Sequence, residues 1–233
     1  MATASKSTID RATLAFLSDL EKHNDRDWFN ANKPRYLVAK EKVEAFADAL
    51  IVRMKRHDRI ATESGKECLM RIYNDQRFHK DRPPYKSNFR GSLSRVKPGL
   101  RGGYFFRIQP GNSAIACGFF GPEPDDLKRI RADIDQDHGA WRKLLGSKAI
   151  MSHFGGLDGA QLGSAPRGYA KDHPALDLLR RKQFILRHAF TDKDVLAPGF
   201  VDQVDALFKR VRPWFDHMSE VLTTDVNGRS LLR

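Results

Sequence analysis

A chain of 233 residues with 40% hydrophobic and 30% charged side chains is long enough for a substantial core and has the composition of an ordinary globular protein. No window approaches the roughly eighteen apolar residues of a membrane span, and no hydrophobic run follows the N-terminus, so neither a spanning helix nor a secretory signal is expected and the cytoplasm is the expected location. Lys plus Arg number 41 against 29 Asp plus Glu, and the resulting net charge of +12 favours anionic partners, nucleic acid among them. The cations are scattered and mixed with acids, without a zinc-finger spacing or the aromatic signature of an RNA-recognition sheet.

Thr8 to His23 is predicted helical, with Leu14, Leu17, Ile9 and Phe16 as its apolar stripe. Asp25 to Phe29 follows as a short turn or helical start. Pro34 suits the first turn of a long helix ending near His57, with Leu37, Val43, Phe46, Leu50, Ile51 and Met54 at helical spacing. After Gly65 the pattern changes to strands: Cys68–Tyr73, Asn88–Val96, Tyr104–Gln109 and Ser113–Phe120, the last two joined as an antiparallel hairpin by Pro110-Gly111-Asn112. Cys68 and Cys117 lie in these apolar runs, where a buried reduced thiol is the habitual state and a disulfide or redox pair the alternative.

Pro122 to Asp125 opens another helix, carrying Leu127, Ile130 and Ile134, and Trp141, Leu144 and Leu145 continue helical material. Gly155 to Gly168 reads as a long surface loop, whose glycines fit neither a dinucleotide fingerprint nor a P-loop. A helix from Pro174 to Lys182, a strand from Phe184 to Ala189 and a final amphipathic helix after Pro198 complete the chain. This order predicts one α+β domain over residues 1–233, with an antiparallel or mixed sheet of about five strands and helices mainly on one face. Its helical part covers 8–57, its sheet core 66–120 and its helical and strand C-terminal part 124–233.

The chemistry concentrates in Arg71 to Lys86, a segment dense in cations, aromatics and aspartates that ends in a stiff Pro83-Pro84. Strand parity adds Arg90 and Arg107: if helices cover the apolar faces, Arg71, Arg90 and Arg107 converge on the other face with Tyr73 and Phe105. Guanidinium groups beside aromatic walls suit a phosphate, a carboxylate or a nucleotide; a solvated sheet face with scattered arginines is the alternative. Asp75, Asp81 and His79 are the acid–base candidates of the segment, and a salt-bridged surface loop is the competing reading of them. The eight histidines show no metal-ligand spacing, neither Ser87 nor Ser92 has a nucleophile's frame, and Trp28, Trp141 and Trp214 sit on apolar helical patterns.

Taken together, Asp25-Arg-Asp-Trp-Phe29, Arg71 to Lys86, Gly103-Tyr-Phe, Pro122-Glu-Pro, Pro166-Arg-Gly-Tyr, Asp172-His-Pro174 and Leu178 to Phe184 occur in an order that resembles the domain of unknown function 2461 family over nearly the whole chain. The resemblance implies a single α+β domain in a cytoplasmic protein and no particular substrate or cofactor. It implies importance for Arg71, Tyr73, Asp75, Arg77, Lys80, Asp81, Tyr85 and Lys86. It sets His79 where a small residue is expected, and it adds Arg167, Tyr169, His173 and Lys182 as a second cluster. The first functional expectation is a pocket for an anionic small molecule, with Arg71, Arg77, Lys80, Lys86 and Arg107 holding the anion, Tyr73 and Tyr85 as walls, and catalysis an open addition. Nucleic-acid binding is the second. A non-enzymatic scaffold, with Asp75, Arg77, Asp81 and Lys86 in a buried ion-pair network, is the third.

Overall fold

The computed structural model describes residues 9–75, 77, 81–225 and 228–232. In chain order the described elements are α1 (Arg11–Lys22), α2 (Arg26–Ala31), α3 (Lys33–Met54), α4 (Gly65–Cys68), β1 (Phe89–Ser94), β2 (Gly103–Ile108) and β3 (Ser113–Phe119). They continue with α5 (Pro124–Gln136), α6 (His138–Leu145), α7 (Lys148–Phe154), α8 (Leu176–Leu179), β4 (Phe184–Phe190), α9 (Asp192–Val195), α10 (Phe200–Arg210) and α11 (Arg212–Thr223). The fold is α+β, with one antiparallel sheet in the order β1-β2-β3-β4. Among the described residues no helix is long and apolar enough to cross a membrane.

Local chemistry explains the boundaries. Asp10 caps α1 by accepting from the Thr13 N–H and hydroxyl, and Asp25 caps α2 by accepting from the Trp28 N–H at 2.8 Å. Pro34 lies in the first turn of α3 and Pro124 opens α5, where a missing N–H costs nothing. The single helix expected after Pro198 is two, because Pro213 in the first turn of α11 cannot donate back into α10. The helix expected over Pro174 to Lys182 shrinks to the four residues of α8. The glycine-rich stretch after Phe154 is indeed a loop, pinned by isolated bridges from Asp158 to Ile185 and from Gln161 to Arg181.

The predicted alternation holds on β1 and β2. Phe89, Gly91 and Leu93 are buried, as are Tyr104, Phe106 and Ile108, while their neighbours are exposed or half-buried. β3 is buried on both faces. Cys68–Tyr73, expected as a strand, is helical up to Cys68 and then extended, and it pairs only at isolated bridges, Leu69 to Gly91 and Tyr73 to Tyr85. Gly91 is required there, because a Cβ would overlap the Phe106 ring and press on Cys68 Sγ.

The chain divides into two compact units. The first holds Met1–Leu93, Phe105–Ile115 and Ala189–Ala206. Its core centres on Phe46, whose ring lies 5.3 Å from Phe106 and 5.3 Å from Phe200. α3 buries Ala39, Val43, Phe46, Ala47, Leu50, Ile51 and Met54, the expected stripe, but Leu37 falls outside it and is 53% exposed. The second unit holds Ser94–Tyr104, Ala116–His188 and Leu207–Arg233. There Tyr104 packs between Phe208 and Phe215, and Trp141 and Trp214 are fully buried, as their apolar patterns predict. Both cysteines are buried and free, and burial pushes the Cys68 thiol up to about 12.

Candidate functional site

Within the first unit, the end of the Arg71–Lys86 segment is assembled by side chains that imitate backbone. Asn24, in the turn between α1 and α2, donates from Nδ2 to the Tyr85 carbonyl at 2.9 Å and accepts from the Tyr85 N–H at 3.0 Å. Asn74 donates from its backbone N–H to the Pro84 carbonyl at 2.9 Å and from Nδ2 to the Pro83 carbonyl at 2.8 Å. The Lys86 N–H reaches the Ile72 carbonyl at 2.8 Å. An aromatic group backs this frame: Phe29 stacks on Tyr85 at 3.9 Å, and the Tyr73 ring stands 5.4 Å from Tyr85. Tyr36 joins them 5.2 Å from Phe29, and burial, helped by Tyr73 and Glu44, pushes its hydroxyl up to about 12.

On this frame lies an open cleft of about 630 Å³, within the size range of small-molecule sites. Arg82, Lys86 and Arg90 line it together with Asn88, Asn74 and Glu21. Lys86 Nζ donates to the Arg71 carbonyl at 2.8 Å and to the Tyr73 carbonyl at 2.6 Å. Burial and the nearby Arg90 and Arg71 guanidinium groups lower its proton affinity below that of an ordinary lysine. Arg90 is oriented by Asn88, whose Oδ1 accepts from Nε at 2.8 Å.

The residues expected from sequence divide accordingly. Tyr85 and Lys86 line the cleft, while Arg71 and Tyr73 flank Lys86 through their carbonyls. Asp75 and Arg77 pair with each other in solvent: Arg77 Nε and Nη2 reach Asp75 Oδ1 and Oδ2 at 3.0 and 2.7 Å. Arg77 is 81% exposed, and its guanidinium holds the Asp75 carboxyl down at about 2. Asp81 is exposed, and His79 and Lys80 lie outside the described residues. Arg107 does not line the cleft; it donates to the Asn112 carbonyl and side chain across the turn between β2 and β3. Arg82 and Glu21 went unnoticed in sequence, and so did Asn24, because 61 residues separate it from its partner Tyr85.

The second cluster, in the second unit, is built around His173. Its Nδ1 accepts from the Ala175 N–H at 3.0 Å, which leaves the ring proton on Nε2 to donate to Asp135 Oδ1 at 2.9 Å. The Tyr169 ring stands 6.4 Å from His173, and burial and Asp135 raise the Tyr169 hydroxyl while Arg131 opposes them. Arg167 and Lys182 are exposed.

Residues 12–217 match the family model described as conserved hypothetical protein, DUF2461, a span that contains both clusters. No curated protein and no solved structure matches the chain.

Proposed function

The chain belongs to the DUF2461 family, and for it we propose that the Lys86 cleft binds an anionic small molecule carrying a phosphate or carboxylate group. One observation carries this reading. Lys86 Nζ gives two of its three protons to backbone carbonyls, and it stands close enough to Arg71 and Arg90 for them to lower its proton affinity. Three cations, Arg82, Lys86 and Arg90, line the cleft against one carboxylate, Glu21. An anion relieves that repulsion, takes the third Lys86 proton and accepts paired bonds from the guanidinium groups. Asn88 and Asn74 supply neutral polar contacts beside it.

The test is a thermal-shift and calorimetric titration of the full chain with inorganic phosphate, pyrophosphate and citrate, and with a short oligonucleotide. At least one small anion should raise the melting temperature of the wild type. Arg90→Ala should fold normally and lose that shift, while Arg187→Ala, a change to an exposed pair with Asp158, should keep it. Wild type that ignores all three anions, or Arg90→Ala that keeps the shift, overturns the reading. An oligonucleotide that binds in place of the small anions, with affinity falling steeply as salt rises, points instead to phosphate-backbone contacts and the +12 charge.

A further inference from the structure

A second cleft, of about 400 Å³, opens in the second unit along α5 and α11. Arg129, Asp133 and Gln136, spaced by four and three residues, share one face of α5, and His217 and Glu220 line it from α11. Asp133 Oδ1 accepts from the indole N–H of the fully buried Trp141 at 2.6 Å and lies 3.4 Å from His217 Nε2. The Trp141 ring meets His217 edge-on, with centroids 5.2 Å apart, so the imidazole is held on two sides. Burial pushes the Asp133 carboxyl up, but the contacts from His217 and Trp141 outweigh it and keep the group below the usual carboxylate range.

His217 Nε2 is buried with no aligned hydrogen bond, so at 3.4 Å its contact with Asp133 is electrostatic and a small movement closes it. An ionised Asp133 favours the proton on Nε2 and leaves the lone pair on Nδ1, which has no partner among the described residues. Arg129 and Glu220 are exposed, line the cleft from α5 and α11 and form no ion pair with one another among the described residues, and Asp225 adds a further carboxylate to the lining. A carboxylate facing Arg129 and an ammonium facing Glu220 would satisfy both.

We propose that this cleft is an acid–base site for a small zwitterion of the amino-acid class. Arg129 holds the carboxylate, Glu220 steers the ammonium, and His217 Nδ1 takes a proton from it. The N–H bond of the ligand breaks with its electron pair left on nitrogen, an N–H bond forms at Nδ1, and the imidazolium is stabilised by Asp133; the reverse step returns the proton. His217 touches the ligand, and Asp133 is a positioning residue acting through it. This cleft and its ligand class are independent of the Lys86 cleft.

The experiment uses the full chain labelled with ¹⁵N-histidine, the His217 signals being assigned by their loss in His217→Gln. Glycine, alanine and glutamate are added in turn at about 10 mM, enough to fill a millimolar site. At least one should displace the His217 Nδ1 resonance in the wild type. Arg129→Ala should weaken that response about tenfold or more, as the loss of one charged anchor does. Asp133→Asn should still bind the amino acid, read by calorimetry, but lose the Nδ1 displacement, which a purely structural Asp133 would not alter. No displacement with any of the three, an undiminished response in Arg129→Ala, or the full Nδ1 displacement in Asp133→Asn overturns the proposal.

Discussion

Arg95 in the second unit and Lys86 in the first both reach backbone carbonyls, yet their surroundings differ in kind. The Arg95 side chain is fully buried, and its Nη1 lies 3.0 Å from the Arg101 carbonyl and 3.1 Å from Ser219 Oγ. Its Nη2 donates to Asp216 Oδ1 at 2.8 Å, and the guanidinium lies 5.2 Å over the Phe215 ring. That cation is enclosed by acceptors and a counter-ion. Lys86 is half-buried, lines an open cleft and stands near two further cations. A buried cation with its charge answered is a structural device, since an unanswered one would be too costly to bury. A cluster of like charges at a solvated cleft is tolerable in water and is relieved by a ligand.

The largest effect expected from this contrast is at Arg95. Arg95→Met strips the donor from the Arg101 carbonyl, Ser219 and Asp216 at once. Asp216 is itself half-exposed and keeps Arg212, so the loss sits at the low end for a broken buried pair, about 3 kcal/mol in chemical denaturation. Arg90→Ala, across the comparison, should leave the denaturation midpoint nearly unchanged. If the two variants destabilise equally, the division into structural and ligand-facing cations is wrong.

A smaller effect is expected at Asn24, which serves the cleft without touching its charge. Asn24→Ala removes both bonds to Tyr85 and should cost about 2 kcal/mol, near 1 for each. It should also weaken any anion that the wild type binds, because Asn24 holds the backbone of Tyr85, the residue next to Lys86. Denaturation and titration of the same variant separate the two losses. Unchanged stability with weakened binding would make Asn24 a ligand contact instead of a frame residue.

How far this was legible in sequence depended on the range of the interaction. The one-sided burial of β1 and β2 follows from period-two alternation at Phe89, Gly91 and Leu93 and at Tyr104, Phe106 and Ile108, a purely local signal. The α+β class and the family were legible for the same reason, the elements and motifs being contiguous. Cys68–Tyr73 has a strand's composition, but only Leu69 and Tyr73 form bridges, and pairing is a property of two segments. The Asn24 side chain with the Tyr85 backbone, and Asp133 with His217, meet across 61 and 84 residues (217 − 133), for which a single sequence carries no periodic signal. Arg77 is the short-range counterpart: its guanidinium folds back onto Asp75 two residues away and is exposed, where the scaffold reading expected burial.

The smallest expected effect is at that pair, and it bears on the scaffold alternative. A buried network would make Arg77→Ala cost several kcal/mol. Because Arg77 is 81% exposed, water and salt screen the pair, and the melting temperature of Arg77→Ala should match the wild type. The change should instead appear in the titration of Asp75 followed by carboxyl NMR. The Asp75 carboxyl is depressed to about 2 in the fold, so whatever the pair contributes is present above the ordinary value of 3.8 and lost as pH falls through 2. In Arg77→Ala the midpoint should climb back toward 3.8 while the fold is undisturbed. A clear loss of stability in that variant would restore the scaffold reading, and it would move the boundary between structural and ligand-facing charge into the Arg71–Lys86 segment itself.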